Sequence, residues 1–143
     1  MAFFGGLIFF YGLFWLVSLV AYQQYFTSQL CGIWAASIMF ILIGLAHFIK
    51  PDKIEAMIPD AMQDYKRLLN YTSGFFEIVF GVLLLFPITR EPAAYGLILL
   101  LIAVFPANIN MAKKKPGFYT ISRLFFQPVY IFWIVYFALN IVK

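Results

Sequence analysis

Few side chains in this sequence could carry chemistry, and they fall at helix spacings rather than in a catalytic motif. Asn70, Ser73, Glu77, Gly81 and Leu84 recur every three or four residues, so a helix places them on one stripe. Glu77 stands in an otherwise apolar run. A carboxyl in such surroundings either keeps its proton or takes a cationic partner. Arg123 is the first candidate partner and His47 the second. Two readings stay open for Glu77: a proton-handling or ligand-anchoring acid, or one half of a Glu–Arg or Glu–His pair that fixes helix register. The structural pair is preferred. His47 has no company of ligand-type side chains, so no metal or haem site is expected; a protein-only site needs three or four donors. Asn108, Asn110 and Gln127 are further polar groups in apolar stretches. Pro106 removes a helix donor and frees the carbonyl of Ile102, and Asn108 and Asn110 are expected to satisfy such freed groups. Cys31 is the sole cysteine, which excludes an internal disulfide or a CxxC redox pair. It reads as a small apolar residue.

The elements that position these groups follow from composition. Of 143 residues, 64% are hydrophobic, 21% aromatic and only 11% charged, and mean hydropathy is +0.92. Soluble domains carry roughly 45–50% apolar and about 25% charged residues. A soluble domain of this size could not hide so much apolar surface, so a soluble enzyme, a disordered chain and a disulfide scaffold are all excluded. The expected class is a single all-α integral membrane domain over 1–143. A helix crossing a bilayer core needs about 20 apolar residues. Five segments meet that length, at about 3–22, 31–49, 71–88, 93–111 and 124–142. The first lacks a basic leader and is too long for a signal peptide. It is expected to span, the alternative being a re-entrant or peripheral path. Gly5, Gly6, Gly12 and Ser18 suit it to close helix packing.

The connectors set the orientation. The 50–70 connector carries Lys50, Lys53, Lys66 and Arg67, and the 112–123 connector carries Lys113, Lys114, Lys115 and Arg123. Arg90-Glu91-Pro92 reads as a tight turn. With five spans, the two basic connectors share a side and hold eight of the ten Lys and Arg residues. The positive-inside rule then puts the N-terminus and both connectors in the cytoplasm and the C-terminus outside. The excess of base is a topology signal, and no nucleic-acid partner is expected. Within the long connector, Asp52-Lys53-Ile54-Glu55 has capping-box spacing, Pro51 precedes it and Pro59 ends it after about two turns. A short interfacial helix is expected there, with Ile54, Met57 and Ile58 on one face. On this topology His47, Glu77, Asn108, Asn110, Arg123 and Gln127 occupy one leaflet and are expected to converge. Asn70-Tyr71-Thr72 matches a glycosylation acceptor but falls at a cytoplasmic edge. The aromatics are mixed along the helices, with lipid as their default neighbour.

The ordered motifs Gly44-Leu-Ala-His47-Phe48-Ile-Lys-Pro51, Ile58-Pro59, Ser73-Gly74-Phe-Phe-Glu77-Ile-Val-Phe-Gly81, Thr89-Arg90, Val104-Phe105-Pro106-Ala107-Asn108 and Arg123-Leu-Phe-Phe-Gln127 resemble the DoxX-like (DoxX/MauE-type) family of small bacterial membrane proteins. The resemblance covers about residues 31–143. It implies a four-helix transmembrane bundle in a bacterial cytoplasmic (inner) membrane, here preceded by an extra N-terminal helix. It marks His47, Ser73, Glu77, Pro106, Asn108, Arg123 and Gln127 as recurrent positions. Some members are quinone-linked oxidoreductase subunits, and others assist disulfide formation. The lone Cys31 excludes an intramolecular dithiol mechanism. The candidate polar cluster is therefore His47, Ser73, Glu77, Asn108, Arg123 and Gln127, with no catalytic residue assigned. The first functional expectation is an accessory or structural subunit packed among lipid and other membrane subunits. The alternative is a quinone-linked redox protein with a polar pocket in the cytoplasmic leaflet. A small-solute transporter comes third, because no inverted repeat is evident.

Overall fold

A computed structural model describes residues 2–20 and 27–139. The predicted ends of the first and last segments, at 21–22 and 140–142, and Lys143 lie outside the described residues. Within them the chain is all-helical. Helix α1 runs Ala2–Val20, α2 Ser28–Ile49, α3 Pro51–Glu55, α4 Lys66–Leu83, α5 Pro87–Lys114 and α6 Phe118–Ile134; a 3-10 segment covers Asp60–Tyr65, and α6 continues as a π turn over Val135–Leu139. Among the described residues, four helices are long and apolar enough to cross a membrane: Phe3–Val20, Ser28–Ile49, Pro87–Lys114 and Thr120–Leu139. Helix α4 differs because its 18 residues include Lys66, Arg67 and Glu77.

Several boundaries depart from those expected, each for a local reason. Helix α2 starts at Ser28, three residues early, because Thr27 Oγ1 accepts the Leu30 N–H at 3.3 Å, a side-chain N-cap. The tight turn expected at 90–92 is instead at 84–86, and Arg90, Glu91 and Pro92 lie inside α5. Pro87 takes a first-turn position, where its missing N–H is harmless. Thr89 Oγ1 donates to Leu83 O at 2.8 Å and Arg90 Nε to Leu84 O at 3.2 Å, so two side chains of α5 close the last turn of α4. In the long connector, α3 starts two residues earlier than expected. Lys50 is its N-cap, Pro51 opens it, and no side chain caps it. The helix ends at Glu55, short of the two turns expected, so Met57 and Ile58 fall in the turn after it, where they are buried, while Ile54 is only part-buried.

Helix α1 packs against α2 and α6 through rings. Phe3 lies 5.5 Å from Phe40 and 4.2 Å from Tyr130, Tyr11 is 5.6 Å from Trp133, and Phe14 is 5.5 Å from Trp34, all edge-on as aromatic quadrupoles prefer. Leu7 is fully buried beneath them. Of the four small residues expected to bring α1 close to a neighbour, Gly6 faces Met39, but Gly5 and Gly12 have nothing within 4 Å, and Ser18 donates to Trp15 O of its own helix. The common core gathers Ile33, Ala35, Ala36 and Phe40 of α2 with Ala93, Ala94, Leu97 and Leu101 of α5 and Ile134 of α6.

Candidate functional site

Helices α2 and α4 run antiparallel in their closest approach, and glycine makes it possible. A Cβ on Gly44 would sit 2.7 Å from Gly74 O and 3.0 Å from Ile78 N, and one on Gly74 would sit 2.5 Å from His47 Cβ. Small residues at both positions let the two backbones touch. On one side of this crossing Ser37 Oγ donates to Gly81 O at 2.6 Å. On the other lies the polar centre of the molecule.

That centre is His47, Asn70 and Glu77, all buried. His47 Nδ1 is 2.9 Å from both Asn70 O and Asn70 Oδ1, and Asn70 Nδ2 donates to His47 O at 3.0 Å. Both neighbours of Nδ1 are acceptors, so Nδ1 carries a hydrogen. The other ring nitrogen, Nε2, faces Glu77 Oε2 at 3.2 Å, and the two side chains are 9% and 8% exposed. Two acceptor lone pairs would repel at that distance, so one proton belongs to the Nε2–Oε2 contact. It resides on the imidazole as an ion pair or on the carboxyl as a neutral pair. Among the described residues Glu77 Oε2 is buried without an aligned hydrogen-bond partner, so its contact with Nε2 is one of ion-pair distance. The arrangement can therefore hold one proton between α2 and α4, and it fastens the two helices by groups that would be expensive to bury singly.

Glu77 thus has His47, the second candidate, as its ion partner. Arg123 sits instead with its Nη1 3.7 Å from Met57 Sδ. Of the remaining polar residues, Asn108 and Gln127 form a second network on α5 and α6. Asn108 Nδ2 donates to Gln127 Oε1 at 2.5 Å, and Gln127 Nε2 donates to Leu101 O. Asn110 Nδ2 donates to Met57 O and Ile58 O at 3.0 and 3.1 Å. The two asparagines therefore do not serve the helix opened by Pro106 as expected. Gln127 caps a carboxamide and a carbonyl of α5, and Asn110 ties the end of α5 to the connector. The expected single cluster is in this way divided into two hydrogen-bonded groups. Ser73 is only half-buried, and Gly74 holds the buried position beside it. Asn70 belongs to the centre, and its place on the Glu77 stripe was the signal for it. Buried Glu55 was missed; Arg67 Nε lies 3.8 Å from its Oε1. Replacing Gln127 by leucine is expected to strand the buried Asn108 carboxamide and remove a second bond from Leu101 O, at about 1–3 kcal/mol. A thermal melt of the detergent-solubilised variant checks this, and an unchanged midpoint would count against the network.

Both basic connectors lie at one end of the bundle. Lys114 Nζ meets Asp60 Oδ1 at 2.5 Å, and the Asn110 and Arg123 contacts to residues 57–58 join the same elements. Between α5 and α6 runs an open groove of about 440 Å³ lined by Leu101, Ile102, Phe105, Gln127, Pro128, Ile131, Phe132 and Val135. Among the described residues no group of three or more His, Cys, Asp or Glu could hold a metal.

The family model that matches this chain is described as a domain of unknown function, DUF8561, and it covers residues 36–138. The chain belongs to that family. The match takes in both polar networks and leaves α1 outside. No curated protein and no solved structure matches the chain.

Proposed function

We propose that this DUF8561 member is a small polytopic membrane protein that serves as a non-catalytic subunit of a membrane complex. Its basic end faces the cytoplasm of a bacterial cell. Four apolar helices of membrane length support the membrane reading, and the lysine-rich connectors gathered at one end support the orientation. The observation that carries the subunit role is the way the ionisable pair is used. His47 and Glu77 are turned onto each other and onto Asn70 across a glycine crossing, where they set the register of α2 against α4. An intramembrane ion pair is costly and is kept where it specifies structure or handles charge. The DoxX-like resemblance supports the same class of small accessory membrane protein. The quinone-linked alternative draws less support, because the groove between α5 and α6 is lined by neither His47 nor Glu77.

The test is native mass spectrometry of the tagged protein, extracted from its own membranes in mild detergent. Partner subunits in fixed stoichiometry are the expected result. A lone chain or homo-oligomer carrying a quinone-sized mass would overturn it in favour of the redox reading.

A further inference from the structure

We propose that the groove between α5 and α6 is a binding site for an anionic phospholipid, with one acyl chain in the groove and the phosphate at Lys113 and Lys115. The inference rests on the membrane reading above and goes beyond it by assigning a ligand. The groove has the size of a small-molecule site, which is roughly 300–1,000 Å³, and its lining is hydrocarbon apart from Gln127. The Gln127 amide is already committed to Asn108 and Leu101 O, so the groove offers an occupant contact without hydrogen bonds. That suits a chain of methylenes. The lining of α6 from Gln127 to Val135 extends about 12 Å at 1.5 Å per residue, so the groove runs along the helices, as an acyl chain does.

Charge at one end of the groove selects the headgroup. Lys113 follows Phe105 by eight residues on α5, about 12 Å nearer the end of the bundle. Lys113 and Lys115 are exposed there, while Lys114 between them is engaged by Asp60. Arg123, four residues before Gln127 on α6, adds positive charge to the same end while touching Met57. A basic group at the headgroup level above an apolar slot is complementary to a phosphate joined to a hydrocarbon tail. Each such cation near the surface contributes about 1 kcal/mol toward an anionic lipid, so two lysines correspond to about a thirtyfold preference.

The experiment uses the full chain in detergent, titrated with dioleoyl phosphatidylglycerol or dioleoyl phosphatidylcholine and read by native mass spectrometry. One phosphatidylglycerol is expected to bind, at a concentration about thirtyfold below that for phosphatidylcholine. K113Q/K115Q, two exposed changes outside the core, is expected to bring the two lipids level. Val135→Trp, which fills the groove, is expected to lower retention of both, with its melting midpoint measured alongside. Equal binding of the two lipids by the unaltered protein, or a preference untouched by K113Q/K115Q, overturns the site. So does full retention by a folded Val135→Trp protein. Fractionation of cells with an alkaline wash separates the two readings. A chain that stays in the membrane pellet yet shows no lipid preference loses only this site; a chain that washes off loses the membrane reading as well.

Discussion

Glu77→Ala is expected to destabilise the bundle by about 3–5 kcal/mol, the usual consequence of removing one partner of a buried pair. His47→Ala should be of similar size, because it also strands Asn70. The double variant is where the pairing shows. If the two side chains act mainly on each other, it should be less damaging than the sum of the singles by about 1–3 kcal/mol. Glu77→Gln separates register from charge. Nδ1 of His47 holds its hydrogen against Asn70, so Nε2 of the neutral ring can accept from the amide introduced. That variant should stay within about 1 kcal/mol of the parent. Denaturation of the detergent-solubilised proteins measures all four. Additive singles would show that His47 and Glu77 are neighbours without being partners. A Glu77→Gln protein as damaged as Glu77→Ala would show that the negative charge itself is needed.

The second large effect concerns a single methyl group. Gly44→Ala places a carbon 2.7 Å from Gly74 O and 3.0 Å from Ile78 N, both backbone atoms that cannot rotate aside. The helices must separate, which pulls His47 from Asn70 and Glu77 as well. The expected loss is at least the 1–3 kcal/mol of an overpacked core, with part of the pair's contribution added. Gly5→Ala and Gly12→Ala meet open space within the chain and should raise stability by about 0.5–1 kcal/mol through helix propensity alone. Melting midpoints of the three variants check the contrast. A Gly44→Ala protein as stable as its parent would remove the close crossing from the account.

Much of this arrangement is legible in residue order. The apolar runs mark the long helices because their length and lack of charge leave few other states. The Glu77 stripe marks the face of α4, since Asn70, Glu77, Gly81 and Leu84 are all buried. The choice between Arg123 and His47 was not legible. Sequence spacing fixes which groups share an end of the bundle, but lateral neighbours depend on which helices touch, and that is decided by Gly44 against Gly74. The same limit explains Ser73, which is as polar as Asn70 but lies beside the buried face. The turn at 84–86 was hidden for another reason. Arg90-Glu91-Pro92 looks like a break because charge and proline coincide, whereas Pro87 starts a helix whose side chains cap the previous one.

The composition of α4 bears on how such a chain is made. An isolated helix beginning with Lys66-Arg67 and carrying Glu77 would be a poor substrate for insertion, since a charged residue near a helix centre costs about 2.5–3.5 kcal/mol on the translocon scale. Helix α2 precedes it in synthesis and brings His47 for the carboxyl and Ser37 for the carbonyl of Gly81. In a bilayer, α4 is therefore expected to enter with α2 already beside it, as a preassembled hairpin. The same side chains that hold the finished bundle would then act first as an escort during biogenesis.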